Sequence, residues 1–473
     1  MREVAVGAIP LARLEGLIAP ERAQRLKREA LRAQEVLGGR VLWNVNSTAQ
    51  GGGVAEMLQA LLAYGRGAGI DTRWLTLTAD AEFFAITKRL HNLLHGVAGD
   101  GGDLGMAERD HYDKVLAANF EELRALVRPQ DLVLLHDPQT AGLVESVSAL
   151  GAKAIWRCHI GRDTDNEHTD RGWEFLRPFL EPADAFVFSR DVYAQQWIPR
   201  EKTWVIPPSL DPFAAKNAEL DPLTVGATLR LAGLVRVDTE TDHPVFPRRD
   251  GSQGAVREHR GLLLDGGEVP GDAQLVLQVS RWDHLKDPVG VLLGFAEHLD
   301  EMPESAHLML AGPDVTGVAD DPEGAAVLTE CMSTWQELPA ATRSRLHLAA
   351  LPMDDVDENA HLVNALQRHA DVVVQKSLVE GFGLTVTEPM WKAKPVVASA
   401  VGGIQDQIES GVNGILLPDP GDLHTFAAEV RELLVDRERA EQLGTAARAR
   451  VKEMFLGDRH LIQYVDLFAS LLA

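Results

Sequence analysis

Two series of short apolar runs, each alternating with helical patterns, most strongly constrain how this chain of 473 residues can fold. Alternating strands and helices produce a mostly parallel sheet that carries helices on both faces. The sequence therefore predicts an α/β fold with two Rossmann-like domains. The predicted strands are residues 40–46, 72–78, 131–136, 152–159, 185–189 and 203–207 in the first series, and 274–280, 307–311, 345–349, 371–375, 395–399 and 414–417 in the second.

The order of the two series also predicts the domain boundaries. We expect a first domain over residues 1–212 and a second over 213–455. The last helical pattern, within residues 456–473, is apolar on one face and is expected to pack back on the first domain. A polar stretch over residues 238–271 has weak periodicity, which predicts loops or an inserted excursion without an assigned role.

The overall charge narrows the classes of partner. The chain carries 46 Lys and Arg against 70 Asp and Glu, a net charge of −24, which repels nucleic acid and anionic membranes. The two cysteines, Cys158 and Cys331, rule out a disulfide scaffold at this length. No apolar run reaches the roughly 18 residues of a membrane span. We therefore expect a cytoplasmic protein, and a homodimer is left open.

The segment from Glu380 to Glu388 joins a predicted strand to a predicted helix through a Gly-x-Gly turn. Such a turn at a helix N-terminus suits an anionic or hydroxyl-rich ligand. The two glutamates could be an acid/base pair, or they could bind hydroxyl groups. The helix dipole keeps Glu380 ionised, which favours hydroxyl binding; a first-turn acid and a solvated helix residue are the ordinary alternative. The turn adds four candidate residues, Gly381, Phe382, Gly383 and Leu384.

Arg281 and Lys286 follow a predicted strand of the second domain. Ligand sites in open α/β sheets lie at the carboxyl ends of the strands. A guanidinium and an ammonium there could neutralise a diphosphate leaving group as its charge grows. Two solvated cations on a surface loop are the alternative.

The first domain supplies the remaining candidates. Asp137 and His159 end two of its strands, and a histidine there can donate to a sugar oxygen. The pair Asp163 and Asp165 has the D-x-D form of some metal sites, but no phosphate-binding glycine loop accompanies it, so we predict no metal. A loop that brings backbone N–H groups to a phosphate, or else a simple tight turn, is predicted at Gly51, Gly52 and Gly53.

Three separated motifs of the second domain resemble the donor site of retaining family-4 glycosyltransferases of the GT-B fold. They are Glu380-Gly-Phe-Gly…Glu388, Val279-Ser-Arg281…Lys286 and Ala400-Val-Gly-Gly-Ile404. Segments of the first domain resemble the trehalose glycosyl-transferring synthases, among them Trp43-Asn-Val-Asn-Ser-Thr48, Gly51-Gly-Gly-Val-Ala-Glu56, His136-Asp-Pro-Gln139 and Trp156-Arg-Cys-His159. The resemblance implies two Rossmann-like domains that face a cleft, with the C-terminal helix crossing back to the first.

The resemblance also implies a reaction. Glucose would pass from UDP-, ADP- or GDP-glucose to glucose or a related sugar, giving the α,α-1,1 linkage of trehalose by front-face attack with no cofactor or metal. Arg281 and Lys286 would hold the diphosphate, and Glu388 the ribose. The donor sugar would be held by Glu380 with the amides of residues 381–383, and His159 would lie near the reacting centre. The loop at residues 51–53 would close on the phosphates.

Some questions stay open at this point. A retaining trehalose phosphorylase shares much of this site, and a non-catalytic sugar-nucleotide sensor could keep the fold. Neither the nucleotide base nor the acceptor sugar can be read from the sequence. Pro389 departs from the family pattern, because a proline within a helix removes an N–H group and can kink the helix.

Overall fold

The structure is a computed structural model that describes residues 1–49, 53–238, 243–248, 251–264, 267–315 and 322–473. None of the helices in these ranges combines the length and the apolar character that a membrane crossing requires. The strands are β1 (Arg2–Val4), β2 (Leu42–Asn46), β3 (Thr72–Thr76), β4 (Leu132–His136), β5 (Lys153–Cys158), β6 (Ala185–Phe188), β7 (Thr203–Val205), β8 (Val235–Arg236), β9 (Val245–Pro247), β10 (Gln253–Ala255), β11 (Val269–Pro270), β12 (Gln274–Val279), β13 (Ala306–Pro313), β14 (Leu346–Leu351), β15 (Val372–Gln375), β16 (Val396–Ser399) and β17 (Ile415–Leu417).

The α-helices alternate with these strands along most of the chain. They are α1 (Ala12–Glu15), α2 (Pro20–Leu37), α3 (Gly53–Gly67), α4 (Ala81–Leu94), α5 (Met106–Leu123), α6 (Val144–Ala149), α7 (Glu167–Leu180), α8 (Pro222–Leu231), α9 (Pro288–Glu297), α10 (Pro322–Glu337), α11 (Ala340–Arg343), α12 (Val356–His369), α13 (Leu384–Trp391), α14 (Ile404–Gln407), α15 (Leu423–Val435), α16 (Arg437–Met454) and α17 (Gly457–Leu472).

The chain divides into two compact units. The first unit comprises Met1–Leu210, Glu380–Phe382 and Glu453–Ala473, and the second comprises Asp211–Val379 and Gly383–Lys452. The α/β architecture predicted from the alternating runs is confirmed.

The first unit is built on a seven-stranded sheet in the order β1-β3-β2-β4-β5-β6-β7. Strand β1 pairs antiparallel with β3, whereas the other neighbours are parallel. One face packs an aromatic core that includes Phe83, Tyr112 and Trp156. The opposite face packs against apolar side chains of α2, α3 and α17. Helix α17 therefore returns to the first unit, where it contacts α2.

The second unit is built on a six-stranded sheet in the order β14-β13-β12-β15-β16-β17. All of its neighbouring strands are parallel. The direction in which strands are added reverses between β12 and β15. In doubly wound sheets, ligands bind beyond the carboxyl ends of the strands at this reversal. The loops that follow β12 and β15 are therefore where a ligand is expected.

The described part of the polar stretch 238–271 is anchored to the second unit. Strands β9 and β10 form an antiparallel pair, and β11 pairs in parallel with β8. The backbone N–H of Arg257 donates to Glu358 Oε1 over 2.7 Å, and its guanidinium binds Asp354 and Glu358. The excursion therefore folds onto the start of α12.

Candidate active site

The loops after β12 and β15 are joined by hydrogen bonds. Asp283 Oδ1 accepts from the N–H of Leu285 over 2.8 Å, which shapes the turn that carries Lys286. Gln278 Nε2 donates to the carbonyl of Lys286 over 2.8 Å. From the other loop, the N–H of Leu378 donates to the carbonyl of Leu285 over 2.8 Å. The turn is thus fixed to strand β12 and to the loop that follows β15.

The two predicted cations lie on this turn. Arg281 is the second residue after β12, and its side chain is 47% exposed, with Nη2 3.4 Å from Asp283 Oδ2. Lys286 is half-buried. Both cations lie on one well-fixed turn, and their binding to a diphosphate stays a prediction.

Lys376 supports this turn and was missed by the sequence analysis. It directly follows β15 and is 1% exposed. Its ammonium donates to Asp287 and, over 2.7 Å, to the carbonyl of Pro420. Asp287, which has a φ of 49°, also accepts from the N–H of Gly290 over 3.0 Å and so caps α9. A lysine placed next to a buried strand was the available sequence signal.

Glu388 is a buried residue of α13 and not a solvated one. It is 6% exposed, and its Oε2 accepts from Gln367 Nε2 over 3.2 Å. Lys216 Nζ lies 3.6 Å from its Oε1. The sequence analysis did not identify these two partners, since they come from distant parts of the chain. A carboxylate held from two sides has a fixed orientation, as a specific hydrogen-bond acceptor needs.

Lys392 is the C-cap residue of the same helix, four residues after Glu388. Its Nζ donates to the carbonyl of Glu388 over 3.3 Å and to Asn217 Oδ1 over 3.1 Å. Burial lowers the pKa of Lys392 to about 7, although the Glu388 carboxylate opposes this shift. Helix α13 continues through Pro389 to Trp391. The proline therefore does not end the helix that carries Glu388.

The glycine turn before α13 depends on its glycines. Gly383 has a φ of 89°, which a side chain would strain. A Cβ on Gly381 would lie 2.5 Å from the carbonyl oxygen of His159. Tyr193 Oη donates to the carbonyl of Gly381 over 2.7 Å and lies 3.2 Å from that of Glu380. The first turn of α13 leaves its early N–H groups without helical partners, as every helix does.

In the first unit, Asp137 and His159 come together. Asp137 Oδ1 accepts from the backbone N–H of His159 over 2.7 Å. Burial raises the pKa of Asp137 to about 7, against the opposing effects of that hydrogen bond and of Arg157. The carboxyl group therefore positions the main chain at His159, and a direct contact of Asp137 with substrate stays a prediction.

A buried polar cluster surrounds the ring of His159. His136 Nδ1 lies 3.0 Å from His159 Nε2, and His136 Nε2 lies 3.0 Å from Asn44 Oδ1. Arg157 Nε lies 3.2 Å from His159 Nε2, and its Nη1 donates to Tyr464 Oη over 3.0 Å. Burial, reinforced by the Arg157 charge, lowers the pKa of His136 to about 3 and also lowers that of His159. Both rings are therefore neutral at pH 7.

The remaining predicted positions are the acidic pair Asp163 and Asp165 and the glycine loop at residues 51–53. Asp163 pairs with Arg190, and Asp165 accepts from Gln195 Nε2 over 3.3 Å, so both have protein partners. In the described ranges, no group of three or more His, Cys, Asp or Glu side chains could hold a metal ion. Gly53 begins α3, whereas Gly51 and Gly52 lie outside the described residues.

The predicted residues thus fall into two groups. The second unit holds Arg281, Lys286, Gly383, Leu384 and Glu388. The first unit holds Asp137 and His159 together with Glu380, Gly381 and Phe382.

Comparison with known proteins identifies the family. The profile described as "Trehalose synthase, N-terminal domain" matches residues 44–195, and that described as "Glycosyl transferases group 1" matches residues 354–450. A trehalose synthase of Pyrococcus horikoshii is 32% identical over 100% of this chain and 99% of its own length. A trehalose phosphorylase of Pleurotus pulmonarius is 26% identical over 86% of this chain, but over 54% of its own length.

Solved structures agree on the fold. A structure described as "Trehalose-6-phosphate from E. coli bound with UDP-2-fluoro glucose" superposes with a TM-score of 0.66 at 14% identity. The match covers 91% of this chain and 99% of that chain. The resemblance inferred from the sequence is confirmed, and the chain belongs to the trehalose synthase family of GT-B glycosyltransferases.

Proposed function

We propose that this glycosyltransferase moves glucose from a nucleoside diphosphate glucose to glucose or a related small sugar, and so forms trehalose with the α configuration retained. The observation that carries the proposal is the environment of Glu388. A carboxylate that is buried yet held by Gln367 and Lys216 is suited to accept two hydrogen bonds from the vicinal diol of a ribose. It lies in the helix that follows the strand at which the order of the sheet reverses.

The diphosphate is assigned to Arg281 and Lys286. As the bond between the sugar C1 and the phosphate oxygen breaks, negative charge grows on the leaving diphosphate. Two cations on a turn fixed by Gln278 and Leu378 stabilise that charge without reorganising. The chain's own cations thus supply what a metal ion would otherwise provide, and no cofactor takes part.

The donor glucose is assigned to Glu380, the amides of residues 381–383 and His159. Because His159 is neutral at pH 7, it serves as a hydrogen-bond partner of a sugar hydroxyl and not as a cationic acid. The acceptor hydroxyl attacks C1 from the face that the diphosphate leaves. The new C1–O bond forms as the C1–phosphate bond breaks, and the leaving phosphate oxygen takes the acceptor proton. No covalent sugar–enzyme bond is formed.

A phosphorylase is the second candidate, because the trehalose phosphorylase relative covers 86% of this chain. Such an enzyme would take free phosphate where the synthase takes a nucleotide, and it would have no use for a ribose-binding carboxylate. The burial and double support of Glu388 therefore favour the nucleotide sugar.

The deciding experiment is a screen of UDP-, ADP- and GDP-glucose against glucose and glucose phosphates, with the product anomer assigned by NMR. We expect α,α-trehalose or its phosphate from at least one nucleotide donor. Release of glucose 1-phosphate from trehalose only when phosphate is present, with no turnover of nucleotide donors, would establish the phosphorylase instead. Nucleotide binding without turnover across the whole panel would indicate a sensor.

A further inference from the structure

A groove in the first unit holds about 660 Å³ of space between protein atoms, part of it open to solvent. It lies between α2, α3 and α17, over strands β2 and β4. Its lining is almost wholly apolar and includes Leu26, Ala33, Leu61, Leu134, Val465 and Phe468. Protein interiors are closely packed and leave few voids, so unfilled space beside an apolar surface is a candidate site for a small molecule.

Four polar residues line this groove, namely Glu29, Asn44, Thr72 and Tyr464. Asn44 is 2% exposed and lines the groove. Its Oδ1 is 3.0 Å from His136 Nε2, whereas its Nδ2 has no hydrogen-bond partner among the residues that the structure describes. Buried amide groups are almost always paired, because an unpaired one has lost its water without replacement. A ligand atom in the groove would supply the missing partner.

We propose that the groove binds a small neutral molecule that is mostly hydrocarbon and carries one hydroxyl group, which pairs with Asn44. A hydroxyl group both accepts and donates hydrogen bonds. It can therefore pair with the side-chain amide of Asn44 whether the amide nitrogen or the amide oxygen faces the groove. The lining includes Glu29 but no Lys, Arg or His. Arg32 pairs with Glu29 over 3.0 Å and also with Asp466 over 2.6 Å. A fatty acid carboxylate would therefore find no cationic residue in the lining to pair with.

The same residues connect the groove to His159. Asn44 contacts His136, which contacts His159. Tyr464 also lines the groove, and it accepts from Arg157, whose Nε lies 3.2 Å from His159. A ligand that pairs with Asn44 thus changes the hydrogen bonding of the residue that contacts His136, and through it His159. An effect of the ligand on turnover would rest on the proposed function. Binding of the ligand and its effect on the His136 and His159 rings do not.

The first experiment compares phenol with toluene, which carries a methyl group in place of the hydroxyl, by ligand-observed NMR. A hydroxyl buried without a partner would weaken binding of phenol about tenfold or more relative to toluene. Pairing with Asn44 removes this penalty, so we expect phenol to bind at least as tightly as toluene. In Asn44→Leu, with folding checked by circular dichroism, phenol should weaken about tenfold while toluene changes little.

Ala30→Phe, on the half-buried face of α2, fills the groove and should abolish binding of both probes; Ala33→Leu is the alternative if that variant does not fold. Absence of binding to the wild type, or phenol binding tenfold more weakly than toluene there, would overturn the proposal.

The second experiment records the ring nitrogen signals of the histidines, with His136 and His159 assigned through His136→Gln and His159→Gln. Phenol should shift both signals in the wild type and neither in Ala30→Phe. Unchanged signals at saturating phenol would refute the connection to His159. Neither result depends on turnover, so failure of this proposal is distinguishable from failure of the proposed function.

Discussion

Replacing Lys392 by methionine tests whether burial lowers the pKa of the ammonium group that contacts the backbone of Glu388. In the folded protein, burial lowers the pKa of this ammonium from 10.5 to about 7. In the unfolded chain it titrates near its ordinary value. Between these two values the unfolded state binds one proton more than the folded state. The contribution of Lys392 to the free energy of unfolding therefore rises with pH in this window and is flat below it.

The size of the effect follows from the proton count. One proton of difference changes the free energy of unfolding by about 1.4 kcal/mol per pH unit. Between pH 7 and 9 the wild type should thus gain roughly 2–3 kcal/mol relative to Lys392→Met. Urea unfolding at half-unit steps of pH measures this difference, and subtracting the variant removes the contribution of other titrating groups.

Lys114→Met is the matched control, because Lys114 is exposed on α5. Its difference from the wild type should stay level over the same pH range. A level difference for Lys392→Met as well would show that the ammonium keeps an ordinary pKa, and the description of Lys392 as a desolvated group would be refuted.

Four further predictions concern the proposed site. Lys286→Ala should lower kcat more than a hundredfold, with a free energy of unfolding within about 0.5 kcal/mol of the wild type; a wild-type rate would remove Lys286 from the leaving-group role. Glu388→Ala should raise the donor KM about tenfold or more, and unchanged nucleotide affinity by calorimetry would count against ribose binding. Gly383→Ala should lower the free energy of unfolding measured in urea by about 1–2 kcal/mol, because the φ of Gly383 is 89°. Gly7→Ala, where a Cβ meets open space, should leave the free energy of unfolding unchanged. In the wild type, the free energy of unfolding should fall as the pH rises from 4 to 7, because the folded protein keeps the Asp137 carboxyl protonated up to a pKa of about 7. Asp137→Asn should remove this fall, and an unchanged pH profile would contradict the burial of the carboxyl.

The sequence predicted the features that depend on local signals. Apolar runs mark strands such as β12 and β15, and the glycines of Gly381-Phe-Gly383 mark the turn that leads into α13. These patterns reach only a few residues along the chain, and parallel strands always place their carboxyl ends together. The cations of the proposed site could therefore be found without a structure.

The partners of the predicted residues could not be found in this way. Arg157 and Tyr464 are 307 residues apart, and nothing near either residue indicates the other. For Glu388 the sequence left a solvated helix residue as the alternative to hydroxyl binding, because its support comes from Gln367 and Lys216 on other elements. Pairing of this kind depends on tertiary packing, which a pattern of residue types does not encode.

The return of α17 to the first unit has a consequence for synthesis. Arg22 binds Asp458, Ser209 Oγ lies 2.8 Å from His460 Nδ1, and Arg459 donates to the carbonyl of Pro207 over 2.8 Å. The ribosome makes Asp458, Arg459 and His460 only after the whole second unit, because they follow Lys452 in the chain. Until α17 has been made, the part of the first unit's sheet face that packs against it stays exposed. Exposed apolar surface makes the nascent chain prone to aggregation in that interval, and a ribosome that stalls before α17 would leave the first unit incomplete.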